Sequence, residues 1–373
     1  MDHLVIIPVL ALLGLQLVSL GGKRPSLKRA AGVWITGLLL FAVGRTLVPE
    51  ELLFRDSEVV RRVQSQLRHL RKEKNWPDRP IIILEGSSLS LVGINGEALE
   101  KALHKAGRDA IVLQFNLAGG NHVERLHLLK LFFDSLTEKE REKFRSAQVI
   151  MLSEVMRRYD EHPLIFLTKD EYADRARVYL NPENTWTAWQ LHSNDASPEK
   201  DTLPILVENA FANIFAIGTF SDMKIPGRIR GIGGYFPLKS VDPNFDLERA
   251  WESVNIESKP ATTKHPFPWW NRYYEKLRTN FDGMIDHAAF YALPTMDCEE
   301  RSYQATFQTH RPSQNIMLQP DSEVYQSMNQ DGVWFDSFHV REKGANMTTE
   351  WLAREIILHW DDLTKTPWTG AEK

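Results

Sequence analysis

Three short apolar runs, at 81–84 (Ile-Ile-Ile-Leu), 110–115 (Ala-Ile-Val-Leu-Gln-Phe) and 149–152 (Val-Ile-Met-Leu), alternate with helical patterns at 97–106 and 123–136. Runs this short and this apolar suit strands covered on both faces, and a helix between successive strands returns the chain to the same end of the sheet, which makes the pairing parallel. The expected fold class is therefore α/β, a parallel sheet sandwiched by helices. In such sheets ligands bind outside the carboxyl ends of the strands. Ser88, Gly119, Gly120 and Ser153 all follow closely on such ends.

The segment Trp334-Phe335-Asp336-Ser337-Phe338-His339 supplies what a serine at one of those ends lacks. A serine hydroxyl is a poor nucleophile near neutrality unless an imidazole removes its proton, and the imidazole works best when a carboxylate fixes its tautomer. Three residues apart on one loop, Asp336 can reach one ring nitrogen of His339 and leave the other for Ser88. Each residue alone has a commoner structural use: a serine after a strand often caps a helix, and Asp-x-x-His is frequent in surface turns. Their joint occurrence, in the order Ser, Asp, His, points to a triad. That order also occurs in α/β-hydrolases, but their G-x-S-x-G elbow is absent, because Ser90 stands where the second glycine belongs.

Gly86-Ser87-Ser88 and Asp336-x-x-His339 resemble the first and last blocks of the SGNH (GDSL-like) hydrolase superfamily, and Asn116-Leu117-Ala118-Gly119-Gly120-Asn121 is similar to its second. The resemblance spans roughly residues 78–360. It implies Ser88, Asp336 and His339 as catalytic residues, with an oxyanion held by the amides of Ser88 and Gly120, Gly119 being the close rival. The family's third block, Gly-x-Asn-Asp, has no asparagine here, where the strand ends Ser153-Glu154-Val155. Asn121 is the substitute donor within reach.

Residues 4–20 and 30–48 are apolar and each is near the length that crosses a bilayer. Between them lie Lys23, Arg24, Lys28 and Arg29, while Asp2, Glu50 and Glu51 flank them outside. Cations stay in the cytoplasm, so residues 1–50 are expected as a transmembrane hairpin with a cytoplasmic loop, in a bacterial inner membrane, with the remainder on the periplasmic side. A charged helical stalk is expected over 51–77 and a catalytic domain over 78–365, with an irregular insertion at about 160–312. Within that insertion, 203–223 can form a core helix or lie against the membrane, its polar residues favouring the core. The aromatic cluster 269–274 can stack on sugar rings or line an acyl groove, packing being the commoner use of such residues. The last strand is expected at 315–319 or 333–335, and a closing helix at 348–359 capped by Thr348.

Composition narrows the classes further. The net charge is -4 with dispersed basic residues, which gives no footprint for nucleic acid. One cysteine, Cys298, excludes a disulfide scaffold. There is no CxxC pair, HExxH or P-loop, and no metal or other cofactor is expected. The function expected is acyl transfer or ester hydrolysis on a cell-surface polysaccharide, as an O-acetyl or O-acyl transferase or esterase. Membrane-anchored proteins of this superfamily commonly act beside a membrane-bound O-acyltransferase, which the resemblance implies as partner. The anchor and the Gly-Ser-Ser block are also similar to those of the D-alanyl transfer proteins that modify teichoic acids. The alternatives are a membrane-anchored lipase or lysophospholipase, and a non-catalytic assembly subunit of a polysaccharide-acylation complex.

Overall fold

The computed structural model describes residues 58–73, 75–120, 122–156, 235, 237–255, 273, 275–277, 279–311 and 315–365. The expected membrane hairpin, the 203–223 helix, Asn121 and all of the 269–274 cluster except Tyr273 lie outside them. Among the described residues no helix is long and apolar enough to cross a membrane.

Five strands form one sheet: β1 (Ile81–Gly86), β2 (Ile111–Asn116), β3 (Val149–Glu154), β4 (His287–Tyr291) and β5 (Met317–Leu318). Their order is β2-β1-β3-β4-β5 and every pairing is parallel. Alternation along each strand feeds two cores. Ile81 and Ile83 face one apolar cluster while Ile82 and Leu84 face the other, and all four are fully buried. This explains why residues 81–84 of β1 are a continuous apolar run and not an alternating one. The strand order reverses between β1 and β3, and the crevice at such a reversal is where doubly wound sheets bind ligands.

One face is covered by α1 (Glu58–Lys72), α4 (His122–Asp134) and α5 (Glu138–Ser146). The other carries α2 (Ser88–Gly93), α3 (Gly96–Lys105), α6 (Leu247–Asn255), α8 (Ser322–Met328), α9 (Glu342–Leu358) and α10 (Trp360–Lys365). A further helix, α7 (Cys298–His310), sends Tyr303 and Phe307 into the first cluster.

Three expectations are corrected here. The stretch read as a stalk is instead a layer of the domain: Val59, Val60, Val63, Leu67 and Leu70 of α1 are buried against β2 and α4. Its Gln66 Oε1 accepts from the Gln114 N–H of β2 at 2.9 Å, so α1 also covers the donors of an edge strand. Second, β4 lies inside the segment read as an insertion, so the irregular part ends before residue 287. Third, α9 begins at Glu342, which leaves Thr348 buried within the helix and not at its cap. The last strand, β5, falls within 315–319; Trp334 makes only an isolated antiparallel bridge to Val340.

Candidate active site

At the end of β1 the chain turns directly into α2, and Ser87 caps that helix, its Oγ accepting from the Leu89 N–H at 3.2 Å. The capping function that competes for Ser88 is thereby taken by its neighbour, and Ser88 stands as the first helical residue with its hydroxyl free to point elsewhere. Ser88 Oγ lies 2.9 Å from His339 Nε2. On the far side of the ring, His339 Nδ1 is 2.8 Å from Asp336 Oδ2 and 3.0 Å from Oδ1. An ionised carboxylate only accepts, so Nδ1 carries the ring proton and Nε2 presents its lone pair to the Ser88 O–H.

The Asp336 carboxylate also organises its own loop. Its Oδ1 accepts from the Phe338 N–H at 2.7 Å and the His339 N–H at 2.6 Å. Burial alone raises the pKa of this carboxyl, but the His339 bond and charge together with the two backbone donors outweigh burial and hold it below the usual carboxylate range. Neighbouring elements fix the loop from outside. The Ser337 carbonyl accepts from the Met296 N–H at 2.9 Å and from Thr295 Oγ1 at 3.0 Å, and the Phe335 carbonyl accepts from the Asp242 N–H at 3.0 Å. Asp336 and His339 keep side-chain exposures of 27% and 25%, so a substrate can reach the ring and the adjoining hydroxyl.

Beside the Ser87-Ser88 turn runs a tight turn after β2. The Leu117 N–H donates to the Gly86 carbonyl at 2.9 Å, and the Gly120 N–H donates to the Leu117 carbonyl at 2.9 Å. Gly119 sits between them at φ +65°, a conformation that side chains disfavour. The Gly120 amide, expected as an oxyanion donor, is therefore already engaged within its own turn. Gly119, the rival, is the glycine of this turn whose amide is not so engaged among the described residues.

The end of β3 is where the sequence departs from the resemblance, and a buried carboxyl occupies it. The Ser87 N–H donates to Glu154 Oε2 in a short bond. Arg125 of α4 donates from Nε to the Gly120 carbonyl at 3.2 Å and from Nη1 to the Glu154 carbonyl at 3.1 Å. Its Nη2 lies 3.8 Å from Glu154 Oε2, and both side chains are fully buried. Burial pushes the Glu154 carboxyl up, and the Arg125 charge with bonds from Ser87 and Ser90 only partly opposes this. Next to it, Ser90 Oγ is 2.6 Å from the Tyr291 hydroxyl, which donates to the Glu85 carbonyl at 3.1 Å. On the opposite face Tyr273 donates to Glu85 Oε2 at 2.6 Å.

The structure thus brings Ser88, Asp336 and His339 into one hydrogen-bonded chain, sets Gly119 and Gly120 in the adjoining turn, and leaves Asn121 outside the described residues. Sequence reasoning missed Ser87 as the cap, and Arg125 and Glu154 beneath it. The available signal was Glu154 itself, a carboxyl closing a strand that begins with four apolar residues.

No family model and no curated protein matches this chain. Among solved structures, the crystal structure of the lipase Lip_vut3 from goat rumen metagenome is similar over 74% of this chain and 96% of that one, at 11% identity. Its TM-score is 0.30, at which the likeness carries no argument about activity.

Proposed function

We propose that this chain is a serine-dependent acyl-transfer enzyme acting on esters, with Ser88 as nucleophile, His339 as base and Asp336 as its orienting carboxylate. The observation that carries the reading is the continuous chain from Ser88 Oγ through the His339 ring to Asp336, at 2.9 and 2.8 Å. As Ser88 Oγ forms its bond to the acyl carbonyl carbon, its proton passes to His339 Nε2. The resulting oxyanion is held by the Ser88 and Gly119 amides, a kind of donor worth roughly 3 to 4 kcal/mol when it meets the transition-state charge. Collapse breaks the ester bond, and the departing alcohol takes the proton from His339. An incoming hydroxyl then gives its proton to His339 as it bonds to the acyl carbon, and the Ser88 Oγ–acyl bond breaks as Ser88 takes that proton back from His339. Water as that hydroxyl makes an esterase, and a sugar makes a transferase.

The acceptor favoured is a cell-surface polysaccharide at the outer face of a bacterial inner membrane, beside a membrane-bound O-acyltransferase that delivers acyl groups. This part rests on the two apolar stretches, the basic loop between them and the superfamily resemblance. Cells lacking only this protein are expected to carry unmodified polymer, with acylation restored by the parent gene and not by Ser88→Ala. Full restoration by Ser88→Ala would favour the non-catalytic subunit, and fatty-acid release by the purified protein would favour the lipase.

A further inference from the structure

We propose that Arg125 and Glu154 are positioning residues that lock the Ser88 turn to the Leu117–Gly120 turn, so that nucleophile and oxyanion amide are presented at a fixed separation. The inference rests on the acyl-transfer reading and adds to it the device that aligns its parts. Three strand ends meet at this pair. Glu154 at the end of β3 receives the Ser87 N–H from the end of β1, and Arg125 binds both the Glu154 carbonyl and the Gly120 carbonyl of the turn after β2.

Stability alone does not account for such a pair. Two fully buried ionisable groups cost desolvation that apolar side chains of similar volume do not, so a core built only for stability would use the latter. The surroundings are also shaped to admit the carboxyl. A Cβ at Gly86 would stand 2.6 Å from Glu154 Oε2 and would collide with Ser90 as well, so the glycine before the nucleophile turn clears the space in which Glu154 meets Ser87. What the pair supplies that apolar residues cannot is directional bonds to three separate backbone positions. Near-attack geometry tolerates little error, since a displacement of about 1 Å costs on the order of 100-fold in rate.

The test uses the full chain in detergent and the double variant Arg125→Met/Glu154→Leu, which removes both charges together and leaves neither buried alone. With p-nitrophenyl acetate, kcat is expected to fall roughly 30- to 100-fold while KM stays within about twofold. Hydrogen exchange of the peptides spanning 86–89 and 117–120 is expected to rise, with a cooperative thermal transition retained. Glu154→Gln keeps an oxygen for the Ser87 N–H and leaves the two Arg125 carbonyl bonds, so its kcat is expected to lie far closer to the parent's than the double variant's. Its thermal midpoint is expected to be lower, because the carboxylate charge opposite Arg125 is gone. A folded double variant with parental kcat and parental exchange at both turns would overturn the proposal. Should the double variant not fold, Arg125→Lys decides. It keeps the charge but cannot reach both carbonyls, so parental kcat and exchange in that variant would equally overturn it. A parent that turns over no ester defeats the acyl-transfer reading instead. The exchange comparison then judges this inference alone, raised at both turns if the pair locks them and unchanged if it does not.

Discussion

Asp336 performs two jobs with one carboxylate, and they can be separated by substitution. In Asp336→Asn the remaining oxygen can still accept from the Phe338 and His339 amides, so the loop keeps its shape. What is lost is the charge that fixes the ring proton on Nδ1, and kcat for ester turnover is expected to fall about 10³- to 10⁴-fold with little change in thermal midpoint. A variant within tenfold of the parent would mean that the carboxylate serves only the loop. At Gly86 the expectation is the reverse of a conservative change. Glycine to alanine would drive a methyl into the Glu154 carboxyl and Ser90, displacing the nucleophile turn and lowering kcat far more than KM in the same assay. Ser88, Asp336 and His339, which the structure joins in one hydrogen-bonded chain, could be paired from sequence because the proposed chemistry demands particular side chains in a particular order. Gly120 was preferred to Gly119 from sequence, and its amide is engaged, because which donor is left over depends on a hydrogen bond made within the turn.

Among the elements, α1 shows how composition can mislead. Arg61, Arg68, Arg71 and Lys72 mark an exposed face while Arg62 is buried, yet the opposite stripe of Val59, Val63, Leu67 and Leu70 had to be buried somewhere, and β2 with α4 is where. Leu67→Ala is expected to cost about 2 to 4 kcal/mol in urea unfolding, as for other buried leucines. A free stalk would lose less than about 0.5 kcal/mol. The far end of α1 is pinned to α5, where Arg71 pairs with Glu140 through bonds of 2.7 and 3.0 Å. The Arg71 bond, aided by Thr137, holds the Glu140 carboxyl down at about 2. A depressed carboxyl stabilises the folded state above its unfolded value of 4.5 and loses that contribution as pH falls toward about 2. The stability gap between parent and Glu140→Gln is therefore expected to be constant from neutrality to mild acid and to close below it. A gap that persists in strong acid would contradict this. The strands β1 to β3 were legible from their apolar runs. β4 was not, because His-Ala-Ala-Phe-Tyr is short and alanine-rich and is made a strand by its pairing with β3. The start of α9 was missed for a similar reason: Arg341 supplies no side-chain cap, and the Arg341 and Glu342 N–H groups donate instead to the Val333 and Leu238 carbonyls, at 2.7 and 3.3 Å.

For the molecule as a whole, the strand order puts β1 and β3 at the sheet's reversal, and Ser88, the Leu117–Gly120 turn and the Glu154 carboxyl all gather at the carboxyl ends of these strands and of β2. The final loop, over 200 residues later in the chain, closes the site only because β4 and β5 extend the same sheet and α9 packs on α2 and α3. No local pattern encodes that convergence, although the chain order of the triad is consistent with it. The N-terminal hairpin is a separate proposal at this scale. The full chain is expected to remain in the membrane fraction through alkaline carbonate washing, whereas release into the supernatant would contradict an integral anchor. The most direct measurement of the central claim is intact mass after brief incubation of the detergent-purified chain with p-nitrophenyl acetate. An acetyl adduct on the parent that maps to Ser88, is absent from Ser88→Ala and disappears with turnover is the result expected. An unmodified parent, or an equal adduct on both proteins, would contradict Ser88 as the nucleophile.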